Sequence, residues 1–307
     1  MIVSCGEALI DMLPRQSTAG EEAFAPYAGG AVFNTAIALG RLGIPSGFFC
    51  GLSSDMFGDI LRRTLTESGV DHSFCATLDR PTTLAFVRLV DGHASYAFFD
   101  ENTAGRMITE AHLPTFGDEV EALHFGAISL IPEPCGSTYE RLMRREHEAR
   151  VVSLDPNIRP GFIADAAAHR ARIDRMIVMS DILKMSDEDL SWFGMAGEEE
   201  AARVWLAAGP KIVIFTRGPR GAVAYTASET VEVPGVKVEV ADTVGAGDTF
   251  NAGLLAALSQ AGKLTKAGIA NLSRDEIAAA LSLGARAAAV TVSRPGANPP
   301  WAAEIGF

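Results

Sequence analysis

Short apolar runs and amphipathic stretches alternate along most of this chain. Ile2 to Cys5 leads into Gly6-Glu7-Ala8-Leu9-Ile10-Asp11, which reads as a buried strand ending in polar groups, with Asp11 where the chain leaves the core. A polar loop follows from Pro14 to Glu22. Past Gly29-Gly30, apolar positions at helical spacing from Asn34 to Leu42, closed by Gly43, predict a short helix. The unit then repeats as a strand from Gly47 to Leu52, a Ser-Ser-Asp turn, and a helix from Phe57 to Ser68 stopped by Gly69.

Such alternation implies a parallel sheet with helical crossovers. Two β-rich runs, Thr82 to Val90 and Ala94 to Phe99, interrupt it. Asp91-Gly92 between them suits a tight hairpin. An isolated hairpin is marginal in water, so this pair is expected to join a small second sheet. The rhythm resumes with strands Ala122 to Leu130, Val151 to Leu154, Asp181 to Lys184 and Lys211 to Thr216, and helices Gly136 to Ala149 and Glu198 to Ala208. A hairpin-like stretch, Gly221 to Val233, precedes two Ala-rich helices, Thr249 to Gln260 and Arg274 to Ala289. No repeat or linker divides the body, so the pattern predicts one α/β unit over residues 1–307 with an inserted β element.

Composition narrows the function classes. With 26 Lys and Arg against 38 Asp and Glu, the formal net charge is −12, which repels nucleic-acid backbones and anionic lipid. The 48% hydrophobic and 21% charged content is that of a folded chain. No apolar run approaches a bilayer span. The start, Met-Ile-Val-Ser-Cys, has no basic leader, so a cytoplasmic location is expected. Cys5, Cys50, Cys75 and Cys135 are scattered without a C-x-x-C pair and read as buried small hydrophobes. The six histidines show no metal spacing.

The most informative segment is Gly245-Ala246-Gly247-Asp248-Thr249-Phe250. Its glycines let backbone approach a ligand, and the helix that follows offers free N–H groups to an anion. A carboxylate there makes sense as a base that takes a proton from an attacking hydroxyl in phosphoryl transfer. On local sequence alone, a helix cap is an equal reading of Asp248. No G-x-x-x-x-G-K-[ST] or G-x-G-x-x-G occurs, which removes the ordinary P-loop and dinucleotide-binding readings.

Ala241-Asp-Thr-Val-Gly-Ala-Gly-Asp-Thr-Phe-Asn-Ala-Gly253 resembles the C-terminal signature of the ribokinase-like (pfkB) carbohydrate kinases. Ala28-Gly-Gly-Ala-Val-Phe-Asn-Thr-Ala-Ile-Ala-Leu-Gly-Arg-Leu-Gly43 resembles their N-terminal one. Asp155-Pro-Asn-Ile-Arg159, Lys184-Met-Ser-Asp-Glu188 and Thr216-Arg-Gly218 match between them. The resemblance implies a three-layer α/β/α sandwich with a mainly parallel central sheet and a small β-sheet lid, drawn from about residues 11–27 and 82–106. It implies Asp248 as general base, with Gly245, Ala246 and Gly247 as an anion hole and Arg159 near the transferred phosphate. Asp11, Gly29, Gly30, Asn34, Phe98 and Asn157 are then expected at the sugar. Taken alone, Gly29-Gly30 could be only a turn, Asn34 only a helix cap and Arg159 only a surface ion pair.

The same resemblance places Lys184, Thr216, Gly218, Gly221 and Gly247 on the nucleotide side. It sets Glu188 near magnesium, through water, although an exposed helix start explains Glu188 equally well. ATP and Mg2+ are the implied cofactors. A monovalent cation, K+, would sit on backbone oxygens near Asp242, Val244, Thr291 and Gly296. Relatives of this kind often pair through their lids, so a homodimer is expected.

For the sugar, Gly29-Gly-Ala-Val-Phe-Asn34 departs from the Gly-Gly-Lys-Gly-Ala-Asn of ribokinases. Thr83-Leu-Ala-Phe-Val87, Tyr96-Ala-Phe-Phe99 and His124-Phe-Gly-Ala-Ile-Ser-Leu-Ile-Pro-Glu-Pro134 resemble bacterial and plant fructokinases. The expectation is ATP-dependent phosphorylation of fructose at its primary 6-hydroxyl. Thr103-Ala-Gly-Arg-Met107 departs from the fructokinase Ser-Ala-Asp-Met. Arg106 could therefore face a substrate carboxylate, as in 2-keto-3-deoxygluconate kinases, or form a lid or interface salt bridge. A non-catalytic sugar or nucleotide sensor on the same fold is the reading from another class.

Overall fold

Alternation along the strands decides how the central sheet is buried, because successive side chains point to opposite faces. In Ile212–Thr216, Ile212 and Ile214 pack on one face while Val213 and Phe215 pack on the other. In Ile2–Cys5, Ile2 joins the first face and Val3 and Cys5 the second. Helices Ala31–Arg41, Ala246–Gln260 and Arg274–Val292 cover the first face. Cys135–Glu146, Ala166–Met179 and Glu198–Ala208 cover the second, which gives three layers. The computed structural model describes residues 1–90 and 93–307, so the Asp91-Gly92 turn lies outside the described residues.

The central sheet has nine strands among the described residues, in the order Thr230–Val233, Ala222–Tyr225, Ile212–Thr216, Ile182–Ser186, Val151–Asp155, Ala122–Gly126, Ile2–Cys5, Ser46–Phe49 and Val70–Asp71. All neighbours are parallel except at the Thr230–Val233 edge, where two antiparallel pairings close the sheet. A separate four-stranded sheet runs Glu22–Gly29, Leu9–Gln16, Leu84–Val90 and His93–Phe99.

Three local readings change. The expected loop at Pro14 to Glu22 is shorter, because Leu9–Gln16 and Glu22–Gly29 pair antiparallel with Gln16 opposite Glu22. Pro14 fits there because the second neighbour, Leu84–Val90, pairs only with Ile10 to Met12. The expected strand to Leu130 stops at Gly126, since Ala127 takes a positive φ of 59° and the chain turns into a 3-10 helix over Ala127–Leu130. The first helix starts at Ala31, so Asn34 lies inside it and is not its cap.

The parallel strands end on one side of the sheet, where α/β folds place their ligands. Asp155 closes Val151–Asp155, and Ser186 closes Ile182–Ser186. Helix Ala246–Gln260 is held against Arg274–Val292 at van der Waals distance, because a Cβ on Gly253 would meet the Gly284 Cα at 2.7 Å. That contact fixes where the first turn of the helix points.

Candidate active site

The first turn of Ala246–Gln260 opens on a cavity of about 350 Å3. Gly245 supplies the entry with a left-handed φ of 78°, and a Cβ there would lie 2.8 Å from the Ala297 Cβ. Asp248 sits in that turn and is 7% exposed. Its Oδ2 accepts from Asn34 Nδ2 at 2.9 Å, and its backbone oxygen accepts from Thr35 Oγ1 at 3.2 Å. Burial pushes the Asp248 carboxyl up to about 7. The Asn34 hydrogen bond and the Lys184 charge oppose that rise, while the charges of Asp155 and Glu7 add to it. A carboxylate poised this way can take up a proton near neutral pH.

Asp11, Gly30, Phe98, Asn157 and Arg159 also line the cavity. Burial alone lifts Asp11 to about 6. Gly29 does not line the cavity but makes room for Asp11, since a Cβ at Gly29 would fall 2.3 Å from Asp11 Oδ2. Asn157 adopts a left-handed φ of 43° two residues past the end of Val151–Asp155. The Arg159 guanidinium is half-exposed and lies 3.9 Å from Glu188, whose carboxylate is largely exposed. Phe98 meets the Phe162 ring edge-on at 4.5 Å, which joins the small sheet to the Pro160–Phe162 turn, and both rings line the cavity.

Lys184 is buried in the cavity wall and donates to Asp155 Oδ2 at 3.0 Å. Burial works against its charge, but Asp155, Asp189 and Asp248 outweigh it and hold the ammonium above the usual lysine range.

Other expected residues gather elsewhere. Asp242 Oδ1 accepts from the Val244 amide at 3.0 Å and Oδ2 from the Gly296 amide at 2.9 Å, so three of the four expected cation-loop residues meet. The Thr291 hydroxyl is engaged with Thr249 and the Ala287 carbonyl in the helix pair. Thr216, Gly218 and Gly221 do not line the Asp248 cavity. Gly221 is sterically bound, a Cβ meeting the Val233 oxygen at 2.0 Å, whereas Gly218 has open space. No cluster of three or more His, Cys, Asp or Glu suited to a metal occurs among the described residues.

Arg106 also stays out of this cavity, its guanidinium 2.8 Å from Asp100 and its Nε donating to the Glu133 carbonyl. The four cysteines are free, and burial pushes the Cys50 thiol up to about 12.

Glu7 is one residue that sequence reading missed. Its Oε1 accepts from the Ala31 amide at 2.8 Å and from Val32, and its Oε2 accepts from Ser129. It caps the first helix from 24 residues away, in place of the cap side chain that Gly30 lacks. Its only signal was a carboxylate set between Gly6 and Ala8 in a buried run.

A family model described as pfkB family carbohydrate kinase matches residues 1–304. A curated fructokinase from Rhizobium leguminosarum bv. trifolii is 63% identical over 273 residues, 89% of this chain and 84% of its own. The fructokinase of Xylella fastidiosa with bound ATP superposes with a TM-score of 0.88 at 30% identity, covering 99% of this chain and 96% of its own. A double mutant of the Vibrio cholerae O395 fructokinase, in its fructose, ADP and potassium ion bound form, gives 0.84 at 26% identity over 96% and 93% of the two chains.

Proposed function

Because this chain belongs to the pfkB family of carbohydrate kinases, we propose that it transfers the γ-phosphoryl group of ATP to the 6-hydroxyl of fructose. The observation that carries the reading is Asp248, a buried carboxylate with its pKa pushed up to about 7 at a helix N-terminus, lining with Asp11 a cavity of about 350 Å3. Asp248 takes the proton from the 6-hydroxyl as the oxygen attacks. The amides of Gly245, Ala246 and Gly247 stabilise the charge that gathers on the transferred group, and Arg159 meets it from the Asn157 side. Asp11, Gly30, Asn34, Asn157 and Phe98 orient the sugar, Gly29 acting through the space it leaves Asp11. Asn34 does so while holding Asp248, which gives it a second role.

On the nucleotide side, Lys184, Thr216, Gly218 and Gly221 border ATP, with Gly221 acting through its turn. Mg2+ would neutralise phosphate charge, and the single exposed carboxylate of Glu188 suits an ion that keeps most of its water. The Asp242, Val244, Thr291 and Gly296 loop would take K+ on backbone oxygens, a reading supported by the potassium in the Vibrio cholerae relative.

Fructose is favoured over 2-keto-3-deoxygluconate by Arg106, whose guanidinium is committed to Asp100 and lines no part of the Asp248 cavity. The four free cysteines fit a reducing cytoplasm. The small sheet, proposed as a lid over the sugar, would also be the seam of a homodimer. ADP release measured over a panel of sugars and sugar acids tests the assignment. Fructose should give the highest kcat/KM, and a preference for the keto acid would sink it.

A further inference from the structure

Behind the cavity wall, three side chains from three elements meet on one oxygen. Asp155 Oδ2 accepts from Lys184 Nζ at 3.0 Å and from Asn251 Nδ2 at 2.7 Å, and all three residues are buried. Asp155 is the one hydrogen-bond acceptor that Lys184 has among the described residues, although an ammonium carries three donors. Lys184 lines the Asp248 cavity, with its Nζ 3.2 Å from where a Cβ on Gly247 would stand.

The network is not built as a stabilising ion pair. Asp155 Oδ1 and Asn251 Oδ1 are buried without a hydrogen-bond partner among the described residues. Unsatisfied buried acceptors cost stability, and buried ion pairs seldom repay their desolvation. What the arrangement does achieve is a fixed positive charge in the cavity wall, beside the amides of the helix that begins at Ala246.

We propose that Lys184 contacts the phosphoryl group during its transfer and that Asp155 and Asn251 are positioning residues that aim its ammonium. This rests on the kinase reading given above. In the step, a sugar oxygen bonds to the γ-phosphorus, its proton goes to Asp248, and the bond from that phosphorus to the bridging oxygen breaks as ADP leaves. Lys184 keeps its proton throughout and offsets the charge on the phosphoryl oxygens. The charged groups that face it are Asp155, Asp189 and Asp248, while Glu7 adds to the field at Asp248. His124 stands near, held neutral by burial and by Lys184, its pKa pushed down to about 3.

Lys184→Met alone would strand a buried carboxylate and can cost the fold. The decisive variant is therefore Lys184→Met with Asp155→Asn, which leaves no buried charge unpaired in this network. Its kcat should fall about 10²–10³-fold, with the sugar KM changed by less than about threefold and a thermal unfolding curve like the parent's. A folded double variant with kcat within about threefold of the parent overturns the proposal. For Asp155→Asn alone, the alkaline limb of the kcat profile should move down by about one pH unit or more, because Lys184 loses the charge that holds its proton. An unmoved limb removes the positioning role. Asp248→Asn is assayed beside them. If it is inactive while the double variant is fully active, only this proposal fails, and if Asp248→Asn turns over like the parent, the kinase reading fails first.

Discussion

Burial gives Asp248 its affinity for a proton, and that sets a pH dependence with a definite sign. With the carboxyl near 7, Asp248 as the proposed base is mostly ionised only above neutrality, so kcat/KM should drop about tenfold per unit below pH 7. Asp248→Asn should lose about 10²–10⁴ in kcat. An acidic limb midway near 4 would contradict the assignment of the base. Asp11, also raised, works in the same direction on stability. Both carboxyls hold protons more tightly folded than unfolded, so the native state binds more protons between about pH 4 and pH 7. Their contribution to stability is therefore largest at the acidic end of that window and declines as pH rises through it. Gly29 tests the geometry of Asp11. In Gly29→Ala the new methyl displaces the Asp11 carboxylate, whose charged hydrogen bond to a sugar hydroxyl would be worth about 1.5–3 kcal/mol. The fructose KM should rise at least about tenfold with a smaller change in kcat. An unchanged KM would free Asp11 of its role.

Elements differ in how much of themselves the sequence displays. The inner strands are legible because both faces are buried, so Ile212–Thr216 and Val151–Asp155 are nearly continuous apolar runs between polar turns. The glycine signatures are legible because the backbone needs glycine there, as at Gly245 with its left-handed φ of 78°. Glu22–Gly29 is not, since only Gly29 is buried and Pro26 interrupts it, so only its partner strand reveals it. Ala166–Met179 hides behind three arginines and a histidine in a weakly amphipathic stretch. Glu7 reaches Ala31, and Asp155 reaches Lys184 and Asn251, only through long-range packing, so no local pattern displays these contacts. The small sheet adds one element-scale prediction. Its Phe98 is tied to Phe162 on the Pro160–Phe162 turn, an edge-on contact worth about 0.5–1.5 kcal/mol. Phe162→Ala should loosen closure over the sugar, admit water, and raise ADP release in the absence of sugar relative to the rate with it. A ratio equal to the parent's would show that closure does not depend on this pair.

At the scale of the whole molecule, a net charge of −12 stands against an anionic nucleotide, so in the proposed kinase reading binding would rest on local groups such as the helix amides, Lys184 and Arg159. The same surface has one feature that charge does not explain. In the small sheet, register puts Asp11, Tyr27, Ala85 and Phe98 on one face, the face that meets the cavity through Asp11 and Phe98. Alternation then sends Phe24, Phe86 and Phe99 to the other face, where their rings pack edge-on at 5.0 and 5.5 Å. Phe24 is 47% exposed and Phe99 59%, an aromatic patch on the outside of the proposed lid. Exposed clusters of this kind mark contact sites, and a second copy of the same sheet would cover it by two-fold pairing. Sedimentation at micromolar concentration should therefore give a dimer, and Phe99→Asp should give a folded monomer with a raised fructose KM. A wild-type monomer, or a Phe99→Asp dimer, would take the lid out of the subunit interface.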